Sequence, residues 1–223
     1  MAVGLAAGVG DDGVGIRGRQ SRAVRATHRH ASAVFLDKDG TLIEDVPYNV
    51  DPARIRLMPG AREAVVELAR AGFRLVVVSN QPGVGLGYFP VEALGAVERR
   101  LRQLLEAAGV RLLGCYFCPH APVTPGEADA CGCRKPAPGL LIRAARDHDI
   151  DLRSSWMVGD ILDDVEAGRA AGCRTVLVDT GGETEWRRAP ARTPHAVVND
   201  LRAAARIICS PKPWGPRHER STL

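Results

Sequence analysis

Two carboxylates one residue apart, Asp37-Lys38-Asp39-Gly40-Thr41, close the apolar run Ala33-Val34-Phe35-Leu36. The glycine behind them lets the chain turn sharply, so both acids can face one pocket. There Asp37 would attack a phosphorus atom, and Asp39 would protonate the leaving oxygen and then take a proton from the hydrolytic water. The same residue types also suit an ordinary turn. A carboxylate attacking an anionic phosphate meets repulsion, so a cation has to stand between them. Asp160, at the end of Trp156-Met157-Val158-Gly159, supplies a further acid. Mg²⁺, a hard octahedral ion, would bind Asp37, Asp160, the main-chain carbonyl of Asp39, waters and the phosphate. Asp164 would lie one helical turn beyond Asp160, as a supporting acid. Both Asp163 and Asp164 also fit a first helical turn, where acids complement the macrodipole. Ser79-Asn80-Gln81 ends another apolar run with a hydroxyl and amides able to hydrogen-bond a phosphate oxygen. Alternatively, Ser79 and Asn80 cap a helix.

A second cluster is of a different kind. Cys118-x-His120 and Cys131-x-Cys133 stand ten residues apart, and three thiolates with one imidazole suit a closed tetrahedral Zn²⁺ site. Neighbouring Cys-x-Cys pairs bridge poorly as disulfides. The intervening Val-Thr-Pro-Gly-Glu-Ala-Asp-Ala has little to bury, so the metal is expected to order the loop. Arg134 and Lys135 follow directly, delivered to the acids by the metal-fixed loop. Lys135 would hold the transferring phosphate, and Arg134 would fork onto a second anionic or sugar group, or simply be a surface arginine. The chain has 27 arginines and three lysines, which makes the placement of a lysine here informative. Cys115, Cys173 and Cys209 are expected to be small buried residues. His28, His30, His148, His195 and His218 show no partner pattern.

These side chains need a frame that brings distant segments together. The pattern predicts strands at 33–37, 73–80, 111–117, 155–160, 174–179 and about 196–200. Helices are predicted at 59–72, 90–109, 138–149, about 163–171 and from Leu201 to Cys209. Strands apolar on both faces, alternating with helices, make an α/β fold: a parallel sheet with helices on each side. Ligands bind such sheets at the carboxyl ends of the strands, where Asp37, Ser79–Asn80 and Asp160 fall. Only 41 residues separate Asp37 from Ser79, too few for a separate cap domain, so specificity must come from loops 44–52 and 81–89 and the zinc loop.

Composition narrows the classes. Residues 1–30 and 206–223 each carry a net +3 of the chain's +4, which leaves the core at about −2. A basic groove for nucleic acid is therefore not expected. No apolar run approaches the ~18 residues of a membrane span. Without an export signal, the chain is expected in the reducing cytoplasm, as a monomer. Residues 1–30 are expected to be a disordered extension, 31–209 the single domain and 210–223 a loose tail.

Taken together, Asp37-x-Asp39-Gly40-Thr41, Ser79-Asn80, Lys135 before a helix and Gly159-Asp160-x-x-x-Asp164 resemble the haloacid dehalogenase (HAD) superfamily over about residues 33 to 180. The resemblance implies a Rossmann-like fold and a Mg²⁺-dependent phosphatase working through an aspartyl-phosphate. It implies Asp37 as nucleophile, Asp39 as acid/base, Ser79 and Lys135 as phosphate anchors and Asp160 as a magnesium ligand. The zinc-loop spacing with Cys133-Arg-Lys-Pro is similar to the subgroup of heptose-bisphosphate and histidinol-phosphate phosphatases. The segment from Asp37 to Ala61 is closer to the heptose branch. That likeness implies a small phosphosugar substrate, released at its 7-phosphate and lined by Asp45 to Tyr48, by Ser79, Asn80, Gln81 and Pro82, and by Arg134 and Lys135. The stretch Asn80 to Pro90, with Pro82 and Leu86, is instead similar to the histidinol branch, and Ile161 replaces the basic residue usual after Asp160. Histidinol phosphate or another small phosphate ester is the alternative substrate. A DNA-end phosphatase and a zinc-stabilised binding module without catalysis stand further off.

Overall fold

The computed structural model describes residues 31–122 and 131–210. The expected N-terminal extension, the tail beyond Ser210 and the interior of the loop between His120 and Cys131, 123–130, lie outside the described residues.

Six strands form one parallel sheet: β1 (Ala33–Leu36), β2 (Arg74–Asn80), β3 (Leu112–Cys118), β4 (Trp156–Gly159), β5 (Arg174–Val178) and β6 (Ala196–Val198). Their order is β3-β2-β1-β4-β5-β6. Five helices connect or follow them: α1 (Ala61–Arg70), α2 (Ala93–Glu106), α3 (Gly139–His148), α4 (Leu162–Ala170) and α5 (Leu201–Cys209). Every element expected from the sequence is present. The second helix starts at Ala93, not at 90, because the chain around Pro90 first makes tight turns, with Ala93 N–H on Pro90 O (3.1 Å).

Strand alternation sorts the core into two layers. Val34, Leu36, Leu75, Val77 and Val158 pack with Val65 and Leu68 of α1, Leu101 of α2 and Ala204 of α5. Ala33, Phe35, Val76, Val78 and Met157 pack on the other face with Leu140, Leu141 and Ala144 of α3 and Ala167 of α4. All of these are at most 2% exposed, as a central parallel sheet requires. Strand order reverses at β1, whose neighbours are β2 and β4. The connections leave in opposite directions there and open a crevice at the carboxyl ends. No helix among the described residues is long and apolar enough to cross a membrane.

Candidate active site

Asp37 follows the last residue of β1, and its N–H on Val158 O (2.9 Å) holds it against β4. The chain then curls back, with Leu42 N–H on Lys38 O (3.1 Å) and Gly40 N–H on Ile43 O (3.0 Å). Gly40 adopts φ +72°, and a side chain there would overlap Asp160 Oδ2. The curl therefore needs glycine twice over, for its left-handed backbone and for room beside the acid. Asp160, one residue past β4, accepts from Thr41 Oγ1 at 3.3 Å. Asp37, Asp160 and Asp164 bring carboxylate oxygens within 4.8 Å of one another, close enough to hold a metal ion.

Lys135 enters this group from the loop before α3 and is 2% exposed. Its ammonium contacts Asp37 Oδ1 and donates to Val78 O at 3.1 Å. It also lies 2.6 Å from Asp164 Oδ1, an ion pair angled away from hydrogen-bond geometry. Burial works against its charge, yet Asp164 and Asp37 more than offset that and hold the ammonium above the ordinary lysine range. Burial pushes the Asp160 carboxyl up to about 8, with the charges of Asp37 and Asp164 adding to it. Burial also raises Asp164, against the pull of Lys135. One cation among three clustered acids leaves an electrostatic demand for another.

Asp164 has two duties that its spacing alone left open. Its Oδ2 accepts Ile161 N–H at 3.3 Å and closes the start of α4, while Oδ1 faces Lys135. Asp163 stands outside the cluster of three acids and pairs with Arg192. The loop after β5, to which the sequence assigned no role, closes the site from behind. A side chain on Gly182 would overlap Asp160 Oδ2, and Glu183 Oε2 accepts Leu162 N–H at 2.8 Å.

Asp39 is gripped at both oxygens, by Lys38 Nζ (2.7 Å) on Oδ1 and by Gln81 Nε2 (3.1 Å) on Oδ2. Burial raises its proton affinity, Lys38 opposes this and Asp37 adds to it. Gln81 Nε2 also donates to Ser79 Oγ at 2.9 Å. That bond fills an acceptor site on Ser79 and leaves its own hydroxyl hydrogen available to a phosphate oxygen. Asn80 spends its amide on the lysine: Nδ2 donates to Lys135 O and Oδ1 accepts Lys135 N–H, both at 3.0 Å. Alternation sends Asn80, expected among the substrate-lining residues, to the α3 face, where Lys135 arrives.

Lys38 escaped sequence reasoning although it lies between the two acids. It is 2% exposed, and Lys38 and Lys135 are the only lysines among the described residues, so lysine scarcity was the available signal.

Cys118 ends β3, and its Sγ lies 3.4 Å from His120 Nδ1, 3.6 Å from Cys131 Sγ and 3.2 Å from Cys133 Sγ. Cys133 Sγ lies 3.5 Å from Cys131 Sγ and 3.3 Å from His120 Nδ1. A tetrahedral ion with bonds of about 2.3 Å to sulfur sets donor atoms roughly 3.7 Å apart, near these edges, whereas a disulfide closes to about 2.05 Å. All six cysteines are free. The donor set and its spacing therefore fit one ion. The ligand loop is joined to its surroundings by Gly139 N–H on Gly132 O (3.0 Å) and Gln81 N–H on Cys118 O (2.8 Å). Arg134 Nη1 donates to His120 O at 3.3 Å.

A cleft of about 750 Å³ extends from Lys135, walled by Val84, Gly85, His120, Arg134 and Asp163. Tyr48, on the loop after the nucleophile, and Tyr88, on the segment after β2, meet edge to face with ring centroids 4.7 Å apart, and both are at least half exposed. Tyr48 holds φ +54°, a conformation costly for a non-glycine residue. Asp45 is exposed on the same loop.

Residues 132–204 match the family model described as HAD-hydrolase-like. The chain is 41% identical to a D-glycero-D-manno-heptose-1,7-bisphosphate 7-phosphatase of Thermosynechococcus vestitus, over 80% of this chain and 95% of that protein. It is 34% identical to a D-glycero-beta-D-manno-heptose-1,7-bisphosphate 7-phosphatase of Pseudomonas aeruginosa, over 79% and 97%. Among solved structures, a D,D-heptose 1,7-bisphosphate phosphatase from B. bronchiseptica, complexed with magnesium and phosphate, superposes with TM-score 0.66 at 32% identity, covering 79% of this chain and 97% of that one.

Proposed function

The chain belongs to the HAD-like phosphatase family of the heptose-1,7-bisphosphate 7-phosphatases, and from that premise we propose that it removes the 7-phosphate of a D-glycero-D-manno-heptose 1,7-bisphosphate. The observation that carries the proposal is the convergence of Asp37, Asp160 and Lys135 in one crevice at the reversal of strand order.

Asp37 attacks phosphorus, so an Asp37 oxygen–phosphorus bond forms as the bond to the sugar oxygen breaks. Asp39 gives its proton to that departing oxygen, and burial, by raising the proton affinity of its carboxyl, favours the protonated form this step starts from. In the second half, a water attacks the aspartyl-phosphate, Asp39 takes its proton and inorganic phosphate leaves with Asp37 restored. Ser79 donates its hydroxyl to a phosphate oxygen, and Lys135 supplies positive charge beside the nucleophile. Asp37, Asp160 and the main-chain carbonyl of Asp39 would hold Mg²⁺, whose charge offsets the repulsion between carboxylate and phosphate. Cys118, His120, Cys131 and Cys133 would hold a structural Zn²⁺ that fixes the loop leading to Arg134 and Lys135. Arg134, on the wall of the cleft, reaches the sugar or its second phosphate. Asp45 and Tyr48, on the loop after the nucleophile, line the substrate, and Asn80 serves by placing Lys135.

The test is phosphate release with Mg²⁺ from the α and β anomers of the heptose bisphosphate, histidinol phosphate, fructose 1,6-bisphosphate and a 3′-phosphorylated oligonucleotide. Asp37→Asn serves as blank. A preference of about 100-fold in kcat/KM for one heptose anomer, equal to about 2.7 kcal/mol of transition-state discrimination, is the expected result. A flat profile would discard the heptose assignment, and release equal to the blank would discard the phosphatase.

A further inference from the structure

We propose that Gln81 is a positioning residue that ties the proton-transfer acid Asp39 to the phosphate anchor Ser79, so that both are set by one side-chain amide. The inference rests on the phosphatase chemistry above. Gln81 is 4% exposed, one residue past β2. Its main-chain N–H on Cys118 O (2.8 Å) fixes the backbone to the neighbouring strand. The side-chain amide has two hydrogens, and both are committed: one to Ser79 Oγ at 2.9 Å, the other to Asp39 Oδ2 at 3.1 Å. An ionised carboxylate only accepts, so the NH₂ group, not the carbonyl, must face Asp39. Lys38 holds the opposite oxygen of Asp39 at 2.7 Å, and together the two donors fix the plane of the carboxyl group.

This grip leaves chemistry available. A carboxylate offers about four lone-pair sites, and two remain for the departing oxygen and the hydrolytic water. Ser79, receiving a hydrogen bond from Gln81, turns its own hydrogen toward phosphate. Phosphate oxygen and leaving-group oxygen are bonded to the same phosphorus, so fixing Ser79 relative to Asp39 fixes the acid relative to the bond that breaks. The amide nitrogen of Gln81 has no hydrogen to spare for substrate.

The distinguishing experiment varies the leaving group. A sugar alkoxide needs the proton of Asp39 to depart, whereas p-nitrophenolate departs without one. The constant to compare is kcat/KM, which covers the steps through leaving-group departure and excludes hydrolysis of the aspartyl-phosphate. The ratio between two esters on one preparation does not depend on how much of the variant is folded. Gln81→Met should lower kcat/KM for the heptose bisphosphate by about 100-fold, within the range of general acid–base catalysis. It should lower the value for p-nitrophenyl phosphate at least tenfold less. Asp39→Asn sets the largest selective loss attainable. Gln81→Asn, too short to span both partners, should show the same selectivity and supplies the ratio if the methionine variant fails to fold. Equal losses on the two esters, or no loss on either, would overturn the inference. A wild-type protein inactive on both esters would overturn the phosphatase reading itself, and the inference with it.

Discussion

Replacing Lys135 by methionine keeps most of the side-chain volume and deletes the charge, and the consequences follow from what the ammonium touches. It sits 2.6 Å from the fully buried Asp164 and against Asp37, in a position 2% exposed. Without it, Asp164 retains only the Ile161 N–H, and Val78 O loses its donor. Breaking a buried pair from one side costs about 3–5 kcal/mol. For a chain of this size that is roughly 6–20 °C in Tm, at about 2–4 °C per kcal/mol. Asp164→Asn removes the second charge while keeping the shape and an acceptor for Ile161, so the Lys135→Met/Asp164→Asn double variant should recover about 2 kcal/mol of the loss. Recovery is partial because Asp37 and Asp160 stay without the lysine. Activity should behave differently: kcat falls at least about 10²-fold in both Lys135→Met proteins, because the phosphate loses its cation either way. The assay is thermal unfolding of wild type, both single variants and the double variant without added magnesium, with phosphate release run in parallel. The folded pKa of Lys135 is raised, so the pair's stabilisation is fully present below the unfolded lysine value of about 10.4 and is lost only as pH rises through the higher folded value. The lysine keeps its charge between pH 7 and pH 9, but burial raises the Asp164 carboxyl, so its fuller ionisation should make the measured coupling larger at pH 9 than at pH 7. A double variant no more stable than Lys135→Met would refute the pairing argument.

Other perturbations probe the remaining parts of the site. The Asp160 carboxyl is pushed up to about 8 by burial and by Asp37 and Asp164, so its contribution to stability is present below about 4, the unfolded value, and is lost as pH rises through about 8. Thermal scans should show the magnesium-free protein weakening from pH 5 to 8.5 while the Tm gain on adding Mg²⁺ grows; a gain independent of pH would contradict this. Gly40→Ala puts a side chain at φ +72° into Asp160 Oδ2 and should cost about 1–3 kcal/mol while raising the magnesium concentration needed for half-maximal activity; an unchanged requirement would show that Asp160 does not depend on the curl. Cys131→Ser should lower bound zinc, measured by elemental analysis, and depress phosphate release through the loop that carries Lys135. Zinc lost with the rate intact would sever that link.

Much of this was legible in the chain itself. Runs such as Phe73-Arg-Leu-Val-Val-Val, apolar on both faces, cannot be satisfied at a sheet surface, so a parallel sheet covered on both sides followed directly. The acids at the ends of β1 and β4 mark the site because a covalent strand end fixes where its next side chain goes. The Cys/His quartet was legible for a similar reason: two Cys/His pairs with short spacing bring most of their geometry with them. Partners supplied by other segments were not legible. Asp164 was equally compatible with a helix cap and a supporting acid until Lys135 arrived beside it. Gln81, Gly182 and Glu183 act through contacts with residues 21 to 42 positions away, and nothing in their local sequence names those contacts. Residue type and strand period alone determined the fold class, the acids at the strand ends and the donor types of the Cys/His cluster, because those depend on chemistry carried within a few residues. Which side chains grip the acids, and which of Asn80 and Gln81 meets the lysine or the acid, was decided only when the sheet order placed β1, β2 and β4 side by side. Burial then made every unpaired charge and hydrogen-bond donor in that crevice too costly to leave without a partner.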